Sequence, residues 1–165
     1  MLFRSFVSNG PLLRCKANGQ WPGHVFKSNA PLEIEIETVL TTRDPIAVIE
    51  IIKNGQVERA VPFEEWKRTG KLGKVKFTEC GWFLVRAIAD NSRTFRFAST
   101  APFYVEIGEH QRRISRESAQ FFLDWVRERM GRVKLDDLAQ REEVLADHRG
   151  AEKFWEDKVG KANAP

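Results

Sequence analysis

The chain has 165 residues, 42% of them hydrophobic, so it can bury the core of one ordinary domain, with or without an appendage. Its net charge of +4 is small, which makes a poor case for a nucleic-acid partner. Two cysteines, Cys15 and Cys80, are too few for a disulfide-built scaffold. No apolar run approaches the roughly 20 residues that span a bilayer.

Twelve Phe and five Trp stand against one Tyr. Such side chains bury large areas each and suit a sheet-on-sheet core. Met1 to Val7 lacks the apolar stretch of a signal peptide. Leu2-Phe3-Arg4-Ser5 is also what the end of a common sequencing adapter encodes in one frame, so residues 1–5 are expected to be an artefact and 1–7 an N-terminal remnant.

From Leu12 to Ile107 the pattern is β. Leu12 to Ala17 reads as a first strand, ended by Asn18-Gly19. Trp21, Pro22-Gly23 and His24 follow in a turn-rich stretch. Leu32, Ile34 and Ile36 alternate with Glu33, Glu35 and Glu37, which gives one buried face and one wet face. Asp44-Pro45 ends that strand. Ala47 to Lys53 and Gln56 to Val61 flank Asn54-Gly55. Asn-Gly between two β-rich runs is the strongest short hairpin signal, because a type I′ turn needs positive φ at both positions. Residues 62–73 are expected to be a connecting loop with one helical turn from Phe63 to Arg68, carrying Trp66. Strands are then expected at Lys74–Glu79, Trp82–Ala89, Thr94–Ala98 and Phe103–Ile107. Cys15 and Cys80 each fall in an expected strand, so buried free thiols are the default, with one bridge left open.

The character changes at Gly108. Ser115 is a candidate N-cap for a helix from about Arg116 to Arg132, with Ala119, Phe122, Val126 and Met130 at helical spacing. Asp136 is a candidate N-cap for a second helix, which Gly150 is expected to interrupt. The expected fold is therefore mainly β: an antiparallel β-sandwich of about seven strands over 8–108, followed by two C-terminal α-helices over 109–165.

Catalytic signatures are missing. His24, His110 and His148 are the three histidines, and each lacks a partner at ligand spacing. There is no Cys-x-x-Cys, no nucleophile elbow and no dinucleotide fingerprint. Gly70-Lys71-Leu72-Gly73-Lys74 lacks the spacing of a phosphate loop. No catalytic, cofactor-binding or metal-ligating residue is assigned. Trp21 and Trp66 are candidates for stacking platforms on a binding surface, against the blander reading that each plugs an end of the sandwich.

Several stretches resemble the C-terminal region of CehA/McbA-family metallohydrolases. These are Ser8-Asn9-Gly10-Pro11-Leu12-Leu13, Pro22-Gly23-His24-Val25-Phe26, Ile49 to Gly55, Gly81 to Arg86, Ala98 to Val105 and Phe121-Phe122-Leu123-Asp124-Trp125. The resemblance spans about residues 8–125, and the first stretch is similar to the junction that leaves the family's catalytic PHP (polymerase and histidinol phosphatase) domain. The candidate binding surface comprises Trp21, His24 and Trp66. It implies that the chain is a non-catalytic accessory sandwich that packs on a PHP-type domain. The parent would then be a metal-dependent phosphoester or ester hydrolase using a divalent metal of unknown identity. The family's metal motifs belong to the PHP domain, and nothing in these 165 residues matches them. The alternative is a free-standing carbohydrate- or partner-binding module. No nucleic-acid partner and no membrane span are expected. The compartment stays open, with an exported parent as one expectation. The apolar residues Phe6, Val7, Leu12 and Leu13 around a stiffening Pro11 point to an exposed docking patch at the junction.

Overall fold

Alternation decides which face of each strand is buried, and the larger sheet of the computed structural model shows it most plainly. In the strand Gly81–Ala89 every odd residue, from Gly81 to Ala89, is buried. In Leu32–Thr41, Ile34 and Ile36 are buried while Glu33, Glu35 and Glu37 face solvent, as the period-two pattern requires. The structure describes residues 6–109 and 112–165. Residues 1–5 and His110 lie outside them.

Ten strands and three helices form among the described residues. They are β1 (Phe6–Ser8), β2 (Leu12–Ala17), β3 (Val25–Ser28), β4 (Leu32–Thr41), β5 (Ile46–Lys53), β6 (Gln56–Pro62), α1 (Phe63–Thr69), β7 (Lys74–Phe77), β8 (Gly81–Ala89), β9 (Phe97–Thr100), β10 (Phe103–Ile107), α2 (Arg116–Arg132) and α3 (Leu138–Gly160). The chain divides into two compact units, Met1–Arg112 and Arg113–Pro165.

The first unit is a β-sandwich. One sheet has seven strands and the other three, in the order β2-β4-β7. In the larger sheet β8 is central. It pairs with β5 along one side, and β5 with the edge strand β6. Along its other side β8 pairs with β9 at one end and β10 at the other. Ala101-Pro102 separates those two, and Pro has no N–H to give a ladder. β9 then carries β1, and β10 carries β3. Every pairing is antiparallel except β3 with β10.

Two strands exceed the expectation. β1 and β3 are short and find partners only through distant sequence. The strand expected at Thr94–Ala98 instead runs Phe97–Thr100, since Asn91 caps the preceding turn by accepting from the N–H groups of Arg93 and Thr94. Cys80 lies in the bend between β7 and β8, not in a strand. Its thiol meets the backbone N–H and C=O of Ile107 at 3.2 and 3.4 Å. Both cysteines are free.

Inner faces of the two sheets meet in one core. Phe77, Phe83 and Phe103 are its largest fully buried rings, joined by Ile34, Ile49, Ile51, Val75 and Val85. On the outer face, Arg86 donates twice to Glu50 at 2.8 and 2.6 Å across the directly paired β5–β8 positions.

The β5–β6 hairpin turns on Asn54 (φ 51°) and Gly55 (φ 91°), both in the left-handed region that a type I′ turn demands. Asn54 also locks the turn to β8: its side-chain oxygen accepts from the Trp82 N–H at 3.0 Å. A Cβ at Gly55 would meet nothing, so only backbone strain opposes a side chain there. Gly55→Val should destabilise the sandwich by about 1 kcal/mol or more. Thermal unfolding unchanged from the parent would refute that cause.

The second unit is a helical hairpin. Ser115 caps α2 by accepting from the Ser118 N–H, and Asp137 caps α3 by accepting from the N–H groups of Ala139 and Gln140. Asp137 therefore replaces Asp136, the expected cap. Gly150 does not interrupt α3, which runs unbroken from Leu138 to Gly160. One interior glycine costs only about 1 kcal/mol, which good helix formers on either side offset. Phe122 stacks on Trp155 at 4.7 Å in the seam between the helices.

Candidate binding edge of the sandwich

The two sheets end together at one edge. β1 pairs only with β9 and β2 only with β4, so each closes its own sheet there. The turn joining them is tightly held. Asn9 exchanges backbone and side-chain hydrogen bonds with Phe97 at 3.2 and 2.8 Å and donates to the Phe95 carbonyl at 2.8 Å. The Ser8 hydroxyl donates to the Pro11 carbonyl and accepts from the Gly10 N–H. Pro11 itself is fully buried. The junction is thus a fixed corner.

Between β1 and β2 lies a cleft of about 180 Å³. Phe6 and Thr100 line it from the larger sheet, and Leu13, Arg14 and Cys15 from the smaller. Trp21 and Pro22 close it. Around this corner Phe6 is 39% exposed, Val7 67%, Leu12 53% and Trp21 40%, and the polar side chains of Asn9 and Arg14 are exposed among them. Phe6 pairs with buried Thr100 and so faces inward, whereas Val7 pairs with Ser99 on the outer face. There it shares that face with Phe97, which stacks on Phe95 at 5.4 Å.

Trp21 and His24 are brought together on one turn. The His24 N–H donates to the Trp21 carbonyl at 3.2 Å, and the His24 carbonyl accepts from Tyr104. The His24 ring lies edge-on to Phe26 at 4.6 Å. The Lys16 ammonium sits 5.0 Å from the centroid of the Trp21 ring, a cation–π contact. Trp66 is held differently. It sits on α1, stacks on Phe63 at 5.6 Å and packs against the core. Its indole N–H donates to the Thr38 hydroxyl at 3.0 Å. That bond and that packing fix it as a wedge rather than an open platform.

Cys15 is the chemically distinctive residue the sequence reading did not place in the cleft. Leu13, Cys15 and Ala17 alternate along β2, and that period already assigns the thiol to the inner face. Burial, reinforced by the negative charge of Glu37, pushes its pKa up to about 12. The thiolate is the nucleophile, so a thiol held this firmly protonated is inert at neutral pH.

Among the described residues no group of three or more His, Cys, Asp or Glu is placed to hold a metal ion. No helix among them is long and apolar enough to cross a membrane. What the edge offers is shape: a shallow apolar corner with an indole and a cation at its rim.

No family model matches this chain, and no curated protein matches it. Among solved structures it is similar to the fibronectin(III)-like modules of Clostridium thermocellum CbhA, at 15% identity and a TM-score of 0.34, over 55% of this chain and 93% of that one. The assignment of a mainly β sandwich followed by two helices stands on the strand pairing itself.

Proposed function

We propose that this chain is a non-catalytic accessory β-sandwich that docks on another domain through its β1–β2 edge. The observation that carries this reading is the combination at one corner of a fixed turn and exposed Phe6, Val7 and Leu12. A flexible tether would be polar and loosely held; a docked pair needs a rigid junction with apolar surface to bury. The resemblance of Ser8 to Leu13 to the junction of CehA/McbA-family proteins names the partner: a PHP-type catalytic domain of a metal-dependent phosphoester or ester hydrolase. The metal and the chemistry belong to that domain, and the sandwich supports it. A second reading, a free-standing carbohydrate- or partner-binding module, is favoured by the exposure of Trp21.

The test starts from the reading frame upstream of the Phe6 codon in the source genome. It should encode a His- and Asp-rich domain which, made as a separate polypeptide, forms a one-to-one complex with this chain. Val7→Glu and Leu12→Glu change exposed positions, so each should shift stability by no more than about 0.5 kcal/mol. Each should weaken the complex by about tenfold or more. An upstream frame without such a domain, or a complex indifferent to both variants, overturns the proposal. Binding to an immobilised polysaccharide that is lost in Trp21→Ala would establish the second reading instead.

A further inference from the structure

Asn-Gly occurs three times in the chain, at Asn9-Gly10, Asn18-Gly19 and Asn54-Gly55. Each asparagine makes the same two-bond clasp on one residue of another strand. The Asn9 N–H donates to the Phe97 carbonyl at 3.2 Å, and its side-chain oxygen accepts from the Phe97 N–H at 2.8 Å. Asn18 does this with Glu35, at 2.9 Å both ways. Asn54 does it with Trp82, at 3.0 Å both ways. An asparagine followed by glycine can also react with its own backbone. The glycine nitrogen attacks the asparagine Cγ and a C–N bond forms. The Cγ–Nδ2 bond breaks, and the amide leaves as ammonia with the glycine N–H proton. Water then opens the cyclic imide, at Cγ to give aspartate or at the main-chain carbonyl to give isoaspartate. Glycine favours the attack because no side chain shields its nitrogen.

Ring closure carries Cγ onto the glycine nitrogen, so the clasp must open first and the rate follows the ease of local opening. The three sites differ in what opens with them. Asn9 is held most firmly. Its Nδ2 donates to the Phe95 carbonyl at 2.8 Å, and the Gly10 N–H, the nucleophile, donates to the Ser8 hydroxyl at 3.0 Å. The turn at Asn54-Gly55 is closed by the β5–β6 ladder, paired from Lys53 and Gln56 to Val48 and Pro62, and Asn54 is half-buried. The turn at Asn18-Gly19 is closed by one isolated bridge. Ala17 and Gln20 exchange backbone bonds at 2.9 and 2.8 Å, and the chain then leaves at Trp21. Asn18 and Gly19 are both exposed, and a Cβ built on Gly19 would meet nothing within 4 Å. The least structure has to open at Asn18.

We propose that Asn18 is a self-modification site, the first of the three asparagines to deamidate in the folded protein, and that its isoaspartate form loosens the turn that carries Trp21. Isoaspartate adds a main-chain atom between Ala17 and Gly19. The Ala17–Gln20 bridge then cannot close, and Trp21 loses its seat beside Lys16, a contact that spans this turn. The test is incubation of the full, folded chain at mildly alkaline pH, followed by peptide mapping in a mass spectrometer. Asn18 should convert about tenfold or more faster than Asn9 and Asn54. In denaturant no clasp exists, and the three rates should converge. Asn18→Gln, whose longer side chain closes the ring slowly, should remove the fast step and leave the other two rates unchanged. The isoaspartate form, separated by chromatography, should melt at a lower temperature than Asn18→Asp, which keeps the main-chain length and the acceptor oxygen. Equal rates in the folded chain overturn the proposal, as does first conversion at Asn9 or Asn54. A lead for Asn18 that persists in denaturant would assign it to neighbouring sequence and equally overturn it. An isoaspartate form that melts with Asn18→Asp would overturn the loosening of the turn.

Discussion

Phe83→Ala should lower the unfolding free energy of the sandwich by about 3–5 kcal/mol, the range for removing a fully buried aromatic side chain. Phe83 is wholly buried on β8 and stands at the middle of a run of rings. It lies 4.9 Å from Phe103 and 5.8 Å from Phe77, and Phe103 continues to Phe26 at 6.4 Å. β8 and β10 belong to one sheet and β7 to the other, so this run ties the two layers together. Truncation removes the burial energy and leaves a cavity between pleated sheets that cannot collapse on themselves. Domains of this kind are stable by about 5–15 kcal/mol, so a large part of that margin goes. Chemical denaturation measures the change. Val39→Thr, at an exposed position of the smaller sheet, should shift stability by no more than about 0.5 kcal/mol. Equal losses in the two variants would mean that the ring stack does not join the layers.

The second large effect is a loss of stability in alkali that belongs to Cys15. Its thiol is raised in the folded chain from the ordinary 9.0 to about 12, by burial first and Glu37 second. Below the unfolded value both states hold the proton and the full stability is present. Above it the unfolded chain releases a proton that the folded chain keeps. Unfolding is then favoured by about 1.4 kcal/mol for each further pH unit, and the loss levels off once the folded thiol titrates. At about pH 10 the cost should be about 1.4 kcal/mol relative to neutral pH. Cys15→Ala removes the titrating group, so the difference in stability between parent and variant should shrink as pH rises through this window. A difference that stays constant would show that the thiol is not protected. A thiol reagent reports the same burial: it should modify Cys80 in the native protein and reach Cys15 only on unfolding.

Several elements were legible because their causes are local. Asn54-Gly55 needs only its own backbone preferences to turn, and both residues do take positive φ. Leu32 to Leu40 shows its buried face in its alternation, and β4 extends that reading by one residue. Ser115 caps α2 where a short polar side chain precedes an apolar helical period. Other features depend on partners far along the chain. β3 has four residues, too few to display a period, and is a strand because β10 lies beside it. Trp66, read either as a stacking platform or as a plug of the sandwich, is held by Thr38 of β4, which takes its N–H. His24 is held from β10, where the Tyr104 N–H donates to its carbonyl.

Residue order alone determined the fold class: a β-rich segment closed by turn residues, then two amphipathic helices. Hydrophobic period and turn chemistry act over a few residues, and those residues are adjacent in the chain. Only the tertiary structure decided that β1 and β2 end their sheets at one corner, that Cys15 lines the cleft between them, and that α2 and α3 enclose a groove. Each of these is a meeting of surfaces. Which edges coincide is fixed by how two layers pack, and no local preference encodes it.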